Sequence, residues 1–417
     1  MRSNTPPNSP NPYLEGEGED EFDIGDIEEV IELDNDTDLQ DVAERLGAAV
    51  REEEDERMDE EQVDVTDMAT LVFSKHKGSV FSCSVSPIGS IAATGGEDDM
   101  AYVWDLNTGN VLHTCTGHKD SVTCLGFSHD GSLLATGDMS GYIQVWKIAT
   151  SAKIWEFETG DLNWLTWHHG SHVLLAGTSE GEVWMWLVPQ GNTRTFPSYG
   201  SASQCGALLQ DGKRSAVGYE DGSLRVFDLK TGQVLQHLSD GLAHSAPVTS
   251  LAVHKDNTLL ISGSLDGTAK LFNVNNGKFV GTLDCKVTAS SAEDNNLEME
   301  EMDHTVEAVS FCPMMPNIAV AANLAGYVLF WDVTSQVTRH VIDQGCGSSQ
   351  LIWHPSEPIL FLAGLDGSVR SYDVRSGEPL AKYTGHENSI LSFSINKDGS
   401  ALVTTSDDGT ARVFQVT

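Results

Sequence analysis

The chain has 417 residues, with 62 acidic side chains against 24 basic ones and a formal net charge of −38. A field of that sign repels nucleic acid and anionic membrane and attracts basic proteins. Seven cysteines with no CxxC pair argue for reduced thiols, and no apolar run reaches membrane-spanning length; together these predict a cytoplasmic or nuclear protein.

Residues 1–68 carry 25 of the acidic residues and only four basic ones. Low hydrophobicity with one-sided charge predicts a mostly disordered acidic tail. Inside it, Leu39, Val42, Leu46 and Val50 follow helical spacing, with Thr37 or Asp38 as N-cap, which suits a short docking helix.

From residue 69 to the end the pattern is different. Thr70 to Phe73 reads as an isolated strand. The stretch Gly117–Lys147 then shows the repeating unit: VTCLGF, SLLATG and YIQVW alternate inward and outward and are rich in β-branched and aromatic residues, as half-buried strands are. The breaks SHDG and DMSG hold the residues that tight hairpin turns require. One such unit cannot bury both faces of its sheet and needs neighbours of its own kind.

The aromatic closing the third run recurs at Trp104, Trp146, Trp186, Phe227, Phe272, Trp331, Tyr372 and Phe414, at spacings of 42, 40, 41, 45, 59, 41 and 42. The long interval marks an acidic insertion near residues 285–303. The last unit stops at its third strand, TARVFQVT, while TLVF at 70–73 is a strand to spare. Joining the two in one blade removes an exposed sheet edge.

The period and the Gly-His opening resemble the WD-repeat family. That resemblance implies an all-β, closed propeller over residues 69–417, with eight blades expected and seven as the alternative. TGGEDDMAYVW, LLAGTSEGEVWMWLVPQG and DGKRSAVGYEDGSLRVFDLKTG are similar to the angio-associated migratory cell protein family. WD repeats place a buried hydrogen-bond network where His76, Thr94, Asp98 and Trp104 stand here. Fragments of it recur as His118 with Thr136 and Trp146, as Ser262 with Asp266, and as His386 with Thr404 and Asp408. Ser140 and Ala325 replace the turn aspartate in blades 2 and 6, which are expected to lack one network each.

A catalytic set occurs once in a chain, whereas buried polar groups need partners in every blade, so this recurrence argues against an enzyme. His168, His169 and His172 lie together, but no acid or cysteine stands at a fixed spacing from them; no metal site is expected. No phosphate-binding glycine loop is present, and no cofactor is expected.

Acids one or two places off the turn position, at Glu97, Asp99, Asp138, Glu220 and Asp407, are expected to face solvent on one rim, with Glu387 at a blade junction beside them. Phe81, Asn163 and Glu307 fall at the entry of the first strands, with Trp164 next to them and Tyr219 nearby. Acids interleaved with rings suit a basic peptide, because arginine forks onto carboxylates and stacks on aromatics. The family resemblance implies a non-enzymatic chaperone of a basic large-subunit ribosomal protein. The client would be held by its basic N-terminal segment, and the chaperone would act as a monomer in late assembly of the 60S subunit. Charge equally permits a histone-binding scaffold. A ubiquitin-ligase adaptor is the other alternative, and it would need a docking helix or box.

Overall fold

The computed structural model describes residues 66–239, 241–286 and 303–416. The acidic tail, its candidate helix at 39–50 and nearly all of the acidic insertion lie outside the described residues. Among the described residues, eight antiparallel sheets of four strands follow one another along the chain, so the fold is an eight-bladed propeller. Blade 1 consists of Val80–Val85, Ile91–Gly96, Ala101–Asp105 and Val111–Cys115; blade 2 of Val122–Phe127, Leu133–Asp138, Tyr142–Lys147 and Ala152–Glu158. In each blade the first strand is innermost and the fourth outermost.

Burial follows that order. The second strands Leu133–Asp138, Ile318–Asn323 and Ala401–Ser406 are buried at every position, because neighbouring blades cover both of their faces. The outer strand Asn192–Phe196 buries only Phe196. The apolar clusters lie between blades: Ile261, Leu271 and Leu283 of blade 5 pack on Val309, Leu329 and Trp331 of blade 6. At about 25 cal/mol per Å² of apolar surface removed from water, the inter-blade layers dominate stability.

Blade 8 is completed from the other end of the described chain. Ile390–Ile395, Ala401–Ser406 and Ala411–Gln415 supply three strands, and Leu71–Phe73 adds the fourth with Leu71 opposite Val413 and Phe73 opposite Ala411. Phe73 stacks on Trp104 of blade 1 at 4.7 Å between ring centroids, with the planes 10° apart. The attachment begins before the expected boundary at 68/69. The Met68 amide donates to the Thr384 carbonyl at 2.9 Å, the Thr384 hydroxyl to the Thr66 carbonyl at 2.8 Å, and Arg412 to the Asp67 carboxylate at 3.2 Å.

Four blades contain a histidine network. In blade 1, His76 Nδ1 lies 3.0 Å from Asp98, His76 Nε2 lies 3.0 Å from Thr94 Oγ1, and the Trp104 indole donates to the same hydroxyl at 3.3 Å. Blade 8 repeats this with His386, Asp408 and Thr404 at 2.8 and 2.7 Å. In blade 5 the histidine is His244, 2.9 Å from Asp266 and 2.7 Å from Ser262. No Gly-His pair announces His244, although it keeps the 22-residue spacing to the aspartate found in blades 1 and 8. Each network fastens the loop entering a blade to the turn between its second and third strands.

Blade 2 corrects two expectations. Its network is complete, and its acid is Asp138, which is fully buried instead of facing solvent. Asp138 lies 3.1 Å from His118 Nδ1, His118 Nε2 is 2.8 Å from Thr136, and the Trp146 indole donates to Thr136 at 3.3 Å. Here the aspartate closes the strand, 20 residues after the histidine, whereas in blade 1 it sits 22 residues on, within the turn. Asp138 also accepts the Tyr142 amide at 2.9 Å. In blade 6, Asn323 does the same for Tyr327 at 2.7 Å, so the missing turn aspartate is partly replaced there too.

Two outcomes are expected. Phe73→Ala removes a ring that is 2% exposed at the closure and should cost about 3–5 kcal/mol, measured by chemical denaturation. For Asp138, burial works against the charge, but hydrogen bonds from His118, the Lys119 amide, Ser140 and the Tyr142 amide outweigh it and hold the carboxyl at about 2. The stability this carboxylate contributes is complete above its ordinary value of 3.8 and is lost as pH falls through about 2. Asp138→Asn should therefore lower the melting temperature at neutral pH and flatten its decline across that acid window.

Candidate binding face

The loops entering the blades and the turns between second and third strands gather at one end of the ring. Two sets of equivalent positions shape this face. The first is a β-bulge in every innermost strand, where one extra residue breaks the pairing. The extra residues are Phe81, Thr123, Asn163, Gln204, Thr249, Glu307, Ser349 and Leu391. A bulge re-aims its side chain and frees it from the ladder. Several reach to the next blade: Asn163 donates to the Ser203 carbonyl at 3.0 Å, Ser349 donates to that of Ile390 at 2.8 Å, and Thr249 bonds that of Val306. Phe81 and Glu307 make no such bond and are half-buried. Burial and the nearby Asp303 carboxylate push the Glu307 carboxyl above its ordinary value.

The second set is the first residue of each turn between strands two and three. Its amide donates to a carbonyl of the loop entering the blade, at 2.9–3.1 Å in all eight blades. In chain order these residues are Glu97, Met139, Ser179, Glu220, Leu265, Leu324, Leu365 and Asp407. The identical backbone geometry carries very different chemistry around the ring. Blades 8 and 1 present adjacent acids, while blades 5 to 7 present three consecutive leucines, of which Leu265 and Leu365 are exposed.

Glu97 and Asp407 converge on Ser79, in the loop between blades 8 and 1. Glu97 accepts the Ser79 amide at 3.0 Å, and Asp407 accepts the Ser79 hydroxyl. Two carboxylates 310 positions apart in sequence are thus brought to one residue by ring closure. Asp99 is exposed beside them with φ 59°, in the left-handed region; the other seven blades place a glycine there, among them Gly141 and Gly222. Glu220 and Glu387 are also exposed. Among the described residues, none of these five acids has a lysine or arginine within ion-pair distance. Several cations of this part of the fold are already neutralised: Lys119 by Glu158, Arg370 and Lys382 by Asp366, and Arg412 by Asp67 and Asp408.

Two aromatic residues expected on this face are not available there. Trp164 is 9% exposed; its indole donates to Ser203 at 2.7 Å and lies on Gly206, where an added Cβ would meet the ring at 2.5 Å. It is a wedge between blades 3 and 4. Tyr219 is fully buried, with the Arg225 guanidinium 4.5 Å from its ring centroid. The same guanidinium lies 4.1 Å from the ring centroid of Tyr199, which is 44% exposed. Tyr199 is the ring that blade 4 offers to solvent, and it was missed. Its signal was positional, since it stands 22 residues before the turn acid Asp221, where other blades hold their histidine. Asp120 and Asp161, exposed in the loops entering blades 2 and 3, were missed as well.

Residues 68–105, 109–147, 232–273 and 377–415 match the WD domain, G-beta repeat family. These segments contain the inner three strands of blades 1, 2, 5 and 8, the four that hold a His–Asp pair. The human angio-associated migratory cell protein is 40% identical over 351 residues, covering 84% of this chain and 80% of the relative. The ribosome assembly protein SQT1 of Saccharomyces cerevisiae is 23% identical over 404 residues, covering 88% and 91%. Among solved structures, Chaetomium thermophilum Sqt1 bound to the N-terminus of the ribosomal protein L10 superposes with a TM-score of 0.74 at 24% identity, covering 84% of this chain and all of that one. The repeat architecture and the human relative together show that the chain belongs to the angio-associated migratory cell protein family of WD-repeat propellers.

Proposed function

We propose that this protein is a non-catalytic chaperone of a basic ribosomal protein of the large subunit, which it holds by a basic N-terminal segment until assembly of the 60S particle. The observation that carries this reading is the paired Glu97–Asp407 site at the blade 8–1 junction, with Asp99 beside it and, among the described residues, no lysine or arginine within ion-pair distance. An arginine fork suits two carboxylates held on one residue. The leucine arc of blades 5 to 7 and the half-buried Phe81 give the non-polar side chains of the same peptide a dry contact. Uncompensated acid on the face favours fast, salt-sensitive association. A structural relative bound to the L10 N-terminus and a relative named for ribosome assembly support the choice of client. Asp99 adds a further reason: a non-glycine residue in the left-handed region is kept at a cost in stability, as residues at working surfaces often are.

The test is a pull-down from cell extract in moderate salt, read by mass spectrometry, with wild type and the variant Glu97→Lys, Glu220→Lys, Asp407→Lys, each checked by thermal melt. Asp138 is left intact because its charge is structural. One dominant basic protein of the large subunit, lost from the folded variant, is the expected result. Histones or ligase subunits in its place, or a client retained by the variant, would overturn the proposal. Asp99→Gly should separate stability from binding: relief of the strained backbone is offset by the greater entropy glycine gives the unfolded chain, so stability in denaturation changes by less than about 1 kcal/mol while client capture weakens.

A further inference from the structure

The opposite end of the ring, formed by the turns between first and second strands, brings together side chains that the binding face does not use. The turn Ser128–Ser132 of blade 2 holds His129 and Asp130, and the turn 168–172 of blade 3 ends in His172. Asp130 Oδ1 serves its own turn, accepting the Ser128 hydroxyl at 2.7 Å and the Ser132 amide at 3.1 Å. Asp211, Asp256 and Asp398 take the equivalent amide in blades 4, 5 and 8 at 2.8–2.9 Å, so this bond is the common structural duty. It leaves Oδ2 unexplained. That oxygen lies 3.1 Å from His172 Nε2, contributed by the next blade from 42 residues away, and shares the single Ser132 hydroxyl with Oδ1, at 2.9 and 2.8 Å.

His129 completes the group. Its ring centroid is 5.5 Å from that of His172, and one ligand atom from each of His129, Asp130 and His172 falls within 4.8 Å of the others. The His172 ring rests edge-on against Trp167, at 6.4 Å between centroids, which limits its rotation. His168 and His169 are not part of the group: they stack on one another at 4.8 Å, and each bonds a backbone carbonyl of blade 4. No acid stands at a fixed spacing from the blade 3 histidines along the chain, so local spacing points to no metal; packing of blade 2 against blade 3 supplies the acid.

We infer that His129, Asp130 and His172 form a site for one divalent transition metal ion of the zinc type, bridging blades 2 and 3. Two imidazoles and one carboxylate are the donors that Zn²⁺ accepts, whereas Mg²⁺ and Ca²⁺ require an oxygen shell. Tetrahedral bonds of about 2.0–2.2 Å set ligand atoms roughly 3.4 Å apart; Asp130 and His172 already stand near that spacing at 3.1 Å, and rotation of the exposed His129 side chain supplies the remaining approach. The fourth position stays open to water or to an external ligand. An ion that binds only the folded ring stabilises it by mass action.

The experiment is calorimetric titration of the full chain with Zn²⁺, with Mg²⁺ in parallel, together with thermal melts. The expected result is saturable binding that includes one site absent with Mg²⁺, and a melting temperature that rises with Zn²⁺. His129→Ala and His172→Ala should each lower the affinity of that site by about tenfold or more, while His169→Ala leaves it unchanged. His129 is exposed and makes no hydrogen bond among the described residues, so its variant remains decisive even if the blade contact suffers in His172→Ala. No Zn²⁺ site, or a site retained by both variants, would overturn the assignment.

Discussion

Every sheet in this protein has a neighbour on both faces, and that constraint organises the rest. A four-stranded blade whose second strand is buried throughout cannot stand with one side in water, so the blades must form an unbroken ring. The ring closes where Leu71–Phe73 pairs with Ala411–Gln415 and Phe73 stacks on Trp104. Closure leaves no blade unpartnered, and it also sets Glu97 beside Asp407 on Ser79. One packing requirement thereby produces both the stability of the fold and a pair of adjacent carboxylates on the candidate face.

Polar networks perform a second task, fixing the loops and turns that make up that face. A histidine between an aspartate and a hydroxyl ties each entering loop to the turn beside it in blades 1, 2, 5 and 8. Buried imidazole and carboxylate are costly unless mutually satisfied, so the aspartate must stand where the ring can reach it, but two backbone solutions meet that need. In blade 1 the acid lies in the turn; in blade 2 it closes the strand and Met139 takes the rim position. A two-residue shift of this kind turns a candidate surface acid into a core residue without changing the fold.

The two ends of the ring differ in chemistry although the backbone repeats around both. One presents acids that have no lysine or arginine partner among the described residues, next to an arc of leucines. The other presents turns whose aspartates are largely occupied by their own backbones, except where His129 and His172 meet Asp130. Repetition supplies equivalent positions, and the side chains placed on them give each blade its own chemistry.

Much of the architecture was legible in the residues: the aromatic period, the Gly and Asp turns and the spare strand at 70–73 encode eight blades and their closure, because strand alternation and turn chemistry are local. The networks of blades 1 and 8 were legible for the same reason, since a histidine, a hydroxyl and an acid recur at constant spacing. The fate of individual face residues was not. Asp138, Trp164 and Tyr219 each stand within a few positions of an exposed site, yet a shifted turn, the glycine floor at Gly206 and the Arg225 guanidinium draw them inward. Tyr199, the leucine arc and the meeting of Glu97 with Asp407 depend on which blades become neighbours. Local sequence determined the blades, and only packing between blades decided which side chains face water and which distant ones meet, because burial is a property of the neighbour as much as of the residue.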